Sequence, residues 1–228
     1  MSEHHSMEDW PTKTYTFPLP FRYHLSAKAG KGAVICMHGF QDHALSMMKR
    51  IGWWESPPPF QTLALNGPFP VPVWTGNGFK EAYSWYFRDS SRNLVLAPPS
   101  ATAERVRDFL RDVGLENTPK VLFGFSQGGF FAPYLAAEIK NLRGIIGFGC
   151  DYPEEGYSKC PPLAVHAIHG TDDERIPISS ARKTFQAATA NRHHGRFHEI
   201  PKLGHRVDTI LAPLVVEIAE KMFDGTAE

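Results

Sequence analysis

Gly124-Phe125-Ser126-Gln127-Gly128 stands between an apolar run, Val121-Leu122-Phe123, and a segment of helical character over residues 130–140. Strand, Gly-x-Ser-x-Gly, helix is the nucleophile-elbow arrangement. The chain turns so tightly there that the serine takes a strained backbone conformation. A side chain at either flanking glycine would meet the neighbouring strand or helix. The hydroxyl is held above the sheet, near the positive end of a helix dipole. The pattern by itself arises often by chance; three further segments, each in the chain order this chemistry needs, give it weight.

Outward from the elbow, the apolar pattern alternates between strand and helix. Residues 12–26 alternate through Tyr15, Phe17, Leu19, Phe21, Tyr23 and Leu25, which predicts two strands interrupted near Pro18 and Pro20. Ala33-Val34-Ile35-Cys36-Met37 is a short continuous apolar run, as expected of a strand buried on both faces. Helices are predicted over 44–54, 102–113, 179–191 and 212–223, and further strands over 62–65, 144–149, 163–168 and 197–200. Pro133 falls inside the elbow helix, whereas Pro213 suits the first turn of the last one. This alternation predicts an α/β fold: a mostly parallel central sheet with helices on both faces and ligands beyond the carboxyl ends of the strands.

A serine hydroxyl attacks only when a base takes its proton, and the base needs an acid to orient it. In this type of fold the order is Ser, acid, His. After the strand at 163–168 comes His169-Gly170-Thr171-Asp172-Asp173. Asp173 is the preferred acid, with Asp172 and Asp151 left open. His205 follows Leu203-Gly204 on the loop after the last strand and is the expected base. His198 reads as half-buried in a strand, His193-His194 as a solvated turn, and His38 as a buried structural residue. No histidine falls in a metal-ligand spacing, so neither metal nor organic cofactor is expected. Oxyanion donors are expected from two backbone amides. Phe40 lies on the glycine turn Met37-His38-Gly39-Phe40, and Gln127 directly follows the serine.

His38-Gly39-Phe40, Gly124-Phe125-Ser126-Gln127-Gly128-Gly129, His169-Gly170-Thr171-Asp172-Asp173 with Ile176-Pro177, and Gly204-His205 together resemble the phospholipase/carboxylesterase family, the acyl-protein-thioesterase-like branch of the α/β-hydrolases. The resemblance runs from about Ala33 to the C-terminus. It implies an α/β-hydrolase fold, Ser126 as nucleophile, Asp173 as acid, His205 as base, and Phe40 and Gln127 as oxyanion donors; the short spacing between the strands at 144–149 and 163–168 leaves no room for a large cap domain. The chain departs from the family at Pro133, in the short segment 151–162, and across 67–99. Within that last stretch, Ser84-Trp85-Tyr86 resembles a tryptophan-containing segment near the thioesterases' acyl site.

Residues 51–100 hold 10 of the 28 aromatic residues and 8 of the 19 prolines, with no regular period across 67–93. A long irregular segment at the active-site end is often functional, and Trp85 and Tyr86 are the expected contacts for an apolar acyl group. The expected reaction is hydrolysis of a small-molecule ester with a short or medium acyl chain. An acyl-protein thioesterase or lysophospholipase is the alternative. A non-catalytic binding protein and a peptidase are further from the pattern. The 228 residues suit one domain, with 1–11 as a tail. Twenty-four basic residues balance 24 acidic ones, which removes the electrostatic case for nucleic acid or anionic membrane as partner. No signal peptide and no apolar run of about 18 residues is visible, so integral membrane association is not expected. Three cysteines, an odd number, argue against a disulfide framework and for a cytoplasmic location. A homodimer is left open.

Overall fold

The computed structural model describes residues 21–26, 30–89, 92, 94–190 and 192–227. The expected tail, 1–11, and the first part of the 12–26 pattern lie outside the described residues. In chain order the elements are β1 (Tyr23–Leu25), β2 (Ala33–Met37), α1 (Ala44–Ile51), β3 (Gln61–Leu65), β4 (Phe69–Pro70), β5 (Val73–Trp74), β6 (Phe79–Lys80), β7 (Tyr83–Ser84), β8 (Phe87–Asp89) and β9 (Leu94–Ala97). There follow α2 (Pro99–Asp112), β10 (Lys120–Phe125), α3 (Gln127–Ala136), β11 (Leu142–Phe148), α4 (Glu154–Tyr157), β12 (Ala164–Gly170), α5 (Ile178–Thr189), β13 (Phe197–Ile200) and α6 (Ala212–Asp224).

Seven strands form the main sheet in the order β1-β3-β2-β10-β11-β12-β13. Only β1 runs antiparallel, against β3; all the other pairings are parallel. From β2 the chain moves outward to β3 on one side, and from β10 it moves to β11, β12 and β13 on the other. The strand order therefore reverses between β2 and β10, and open α/β sheets leave a crevice at such a point, beyond the strand ends.

Because each central strand is buried on both faces, its residues are apolar almost throughout: Ala33 to Met37 are all buried, as are Val121 to Phe123. On one face Val106, Leu110, Phe131, Leu135 and Phe185 come from α2, α3 and α5. On the other Met47, Met48, Ile51, Val215, Ile218 and Met222 come from α1 and α6. Each such side chain contributes roughly 1.5–3 kcal/mol by leaving water. Among the described residues, no helix is long and apolar enough to cross a membrane.

Several elements differ from the sequence expectation. The irregular stretch contains three small antiparallel ribbons, β4 with β7, β5 with β6, and β8 with β9. Strands of two to four residues are too short to show a period. Helix α3 starts at Gln127 and ends at Ala136, with Pro133 inside its last turn. A proline there removes one backbone donor, and the helix stops soon after. The segment after β11 holds only the one-turn α4 and no cap. His193, expected in solvent, is buried: its Nε2–H donates to the Tyr157 carbonyl at 3.1 Å, and the ring packs on Tyr157.

Candidate active site

Ser126 sits at the crevice between β2 and β10. Its φ of 51° and ψ of −115° are the strained values an elbow requires. The strain is held from both sides. The Ser126 amide donates to the Phe148 carbonyl at 2.9 Å, and the first helical bond runs from the Phe130 amide to the Ser126 carbonyl at 3.0 Å. Gly128 is required by close approach, since a Cβ there would lie 2.3 Å from the Met37 carbonyl oxygen.

Two loops bring the other groups to this point. His205 Nε2 lies 3.0 Å from Ser126 Oγ, and His205 Nδ1 lies 2.8 Å from Asp173 Oδ2. The other carboxylate oxygen, Asp173 Oδ1, accepts from the backbone amides of Arg175 at 3.0 Å and Ile176 at 2.9 Å. With Nδ1–H donating to the carboxylate, Nε2 is left as the acceptor facing the hydroxyl. The two alternative acids are elsewhere. Asp172 is exposed and bonded to the Thr171 hydroxyl, while Asp151 accepts from the Ser180 and Thr184 hydroxyls beside α5.

The sequence pattern of the phospholipase/carboxylesterase family matches residues 24–211, a span that contains all of these groups. The chain belongs to that family. Solved structures agree on the fold at low identity. Esterase PE8 superposes with a TM-score of 0.68 at 23% identity, covering 89% of this chain and 99% of its own. Acyl-protein thioesterase 2 of Zea mays gives 0.66 at 19% identity, with 89% and 99% covered. A carboxylesterase of Mesorhizobium loti gives 0.69 at 15% identity, with 89% and 98% covered. A comparison with curated protein sequences finds no match.

As in an α/β-hydrolase fold generally, the strand-end turn after β2 lies against the elbow. A Cβ on Gly39 would stand 3.4 Å from Ser126 Cβ. Phe40 follows and is 47% exposed. The Gln127 amide opens α3, where the first-turn N–H groups have no partner within the helix. His38 is fully buried, accepts from the Gly67 amide at 2.9 Å and is held down to a pKa of about 4, chiefly by burial.

The placement of Trp85 differs from the sequence expectation. It has no exposed surface; its indole stacks on Phe131 at 5.1 Å and donates from Nε1 to the His38 carbonyl at 2.8 Å. An enclosed ring offers no wall to an acyl chain. Tyr86 is half-buried and packs on Phe130 at 5.6 Å, beside the elbow helix. Two contributors were not read from the sequence. The Gln127 side chain bonds Ser84, Trp85 and Tyr86. His169, wholly buried, donates from Nε2 to the Ile176 carbonyl at 2.8 Å and lies 3.5 Å from Asp173 Oδ2. The His169-Gly170 pair at a strand end was the available signal. Among the described residues, no group of three or more His, Cys, Asp or Glu side chains is placed to hold a metal.

Proposed function

We propose that this chain, a single domain over residues 1–228, is a serine carboxylesterase that hydrolyses short- to medium-chain acyl esters through an acyl-enzyme. The observation that carries the reading is the unbroken series Asp173 Oδ2, His205 Nδ1, His205 Nε2, Ser126 Oγ, at 2.8 Å and 3.0 Å. Ser126 Oγ attacks the ester carbonyl while its proton passes to His205 Nε2. Asp173 holds the imidazole in the required tautomer and stabilises the imidazolium that forms. The Phe40 and Gln127 amides receive the developing oxyanion. Collapse breaks the ester C–O bond, and His205 returns the proton to the leaving alcohol. Water, deprotonated by His205 in turn, then attacks the acyl carbonyl and releases the acid and Ser126.

Short chains are favoured because no cap follows β11 and the exposed aromatic groups of the 67–97 segment, Trp74 and Phe79, lie on a surface ribbon. Each methylene adds up to ~0.8 kcal/mol while it is being buried and nothing once the tail reaches solvent. Thioester hydrolysis is the second reading, favoured by the likeness to the Zea mays acyl-protein thioesterase. A chain-length series of p-nitrophenyl esters run beside acyl thioesters tests both. The expected optimum lies between acetyl and hexanoyl. A kcat/KM that climbs steadily to palmitoyl overturns the short-chain reading, and a thioester preference at equal chain length favours the second.

A further inference from the structure

Two amides on different elements have to converge on one oxygen atom, and nothing in the elbow itself sets the distance between them. Phe40 is carried by the turn after β2 and Gln127 by the start of α3. We propose that Trp85 is the positioning residue that ties these two carriers together; the proposal rests on the oxyanion roles given above. The Trp85 indole Nε1–H donates to the His38 carbonyl at 2.8 Å, and its backbone N–H donates to Gln127 Oε1 at 3.1 Å. One residue thus grips both halves.

The grip on the turn reaches the Phe40 amide through a rigid unit. His38 Nε2 accepts the Gly67 N–H, which leaves the proton on Nδ1, and Nδ1–H donates to the Gly39 carbonyl at 2.7 Å. The Gly39 carbonyl and the Phe40 N–H belong to one planar peptide and point in opposite directions. Holding the oxygen therefore aims the N–H. The next residues are fixed as well, since the Gln41 amide donates to the Tyr83 carbonyl at 3.0 Å and the Tyr83 amide to the Asp42 carbonyl at 2.9 Å.

Trp85 itself has little freedom. Its carbonyl accepts the Thr102 hydroxyl at 2.7 Å, and its ring lies within 13° of parallel to Phe131 of α3. On the other side, Gln127 Nε2 donates to the Tyr86 carbonyl at 2.9 Å. The base of the 67–86 ribbon is therefore a strut across the two oxyanion carriers. Oxyanion donors act at 2.7–3.1 Å, and removing one outright costs about 100- to 1,000-fold in kcat. A loosened donor costs less, about tenfold.

Trp85→Phe keeps a ring against Phe131 and removes only the Nε1–H. Gln127→Met keeps the backbone amide and removes the side-chain bonds. Both full-length variants are assayed on p-nitrophenyl acetate, butyrate and hexanoate, with Tm and the rate of fluorophosphonate labelling. Expected are a kcat about tenfold lower, KM within about twofold, the same factor for every ester, and labelling slowed by that factor. Wild-type kcat in either folded variant overturns the strut. A loss that appears in KM and grows with chain length also overturns it and makes Trp85 a pocket wall. Should Trp85→Phe fail to fold, Gln127→Met alone decides. Wild-type protein that neither labels at Ser126 nor turns over ester overturns the underlying reading of the site instead.

Discussion

The loops that present Asp173 and His205 and the ribbon segment from Gly67 to Ala97 meet at the same elbow, yet they are built on opposite lines. The first are short and tied by backbone bonds: the Asp172 amide donates to the Leu203 carbonyl at 3.1 Å, and the Thr171 amide to the Ile200 carbonyl at 3.0 Å. They hold polar groups whose atoms face each other. The ribbon segment has many aromatics, but it divides them. Trp85 is wholly enclosed at its base, whereas Trp74 and Phe79, in edge-to-face contact with ring centroids 5.2 Å apart, are 63% and 71% exposed at its far end. The lesson is that the polar groups facing each other at the elbow are held by backbone bonds between loops distant in the chain, while aromatic residues of one segment take structural or surface places according to what packs on them.

The comparison is tested most severely at the serine. Ser126→Ala should lower kcat by four or more orders of magnitude on any ester, with folding unchanged. Activity that survives, or that a chelator abolishes, would falsify the serine mechanism.

Next in size is the acid. Asp173→Asn should cost on the order of 10⁴-fold in kcat, because the amide favours the wrong imidazole tautomer. Asp172→Asn and Asp151→Asn should stay within about threefold, since neither carboxylate bonds His205. A severe loss in either of these would move the acid to another strand end.

A smaller effect reads two buried histidines, His38 on the turn after β2 and His166 within β12. Burial holds His38 and His166 down to a pKa of about 4 in the folded chain. An unfolded imidazole has a pKa of ~6.5, so between these values the unfolded chain binds more protons. Stability should therefore fall as pH drops from ~6.5 towards ~4, and this contribution should be level above ~6.5. Urea unfolding at pH 7.5, 6.5 and 5.5 measures the slope, and His166→Gln should flatten part of it. An unchanged slope would show that His166 is not held neutral.

Smallest of all is the far end of the ribbon. Trp74→Ala and Phe79→Ala remove side chains that are already in water. Stability should move by no more than ~0.5 kcal/mol and kcat/KM on acetyl esters should hold. A loss of tenfold or more would mean that the tip folds over the substrate.

What could be read from the residues alone divides along the same line. The elbow, the His169-Gly170-Thr171-Asp172-Asp173 loop and the Gly204-His205 turn were legible because each needs particular residues at particular spacings. The apolar run Ala33 to Met37 was legible because a strand covered on both faces admits little else. Composition could not say which way the aromatics of 67–97 face, because strands of two to four residues carry no period. The residue order preferred Asp173 as the acid but left Asp172, its neighbour on the same turn, open. The tertiary structure shows where each of these side chains lies. Among the described residues Asp173 is the carboxylate that bonds His205 Nδ1, at 2.8 Å, and Trp85 is enclosed because the His38 turn, Phe131 and Thr102 close around it. These outcomes depend on elements far apart in the chain, and side-chain direction follows from what packs across the gap.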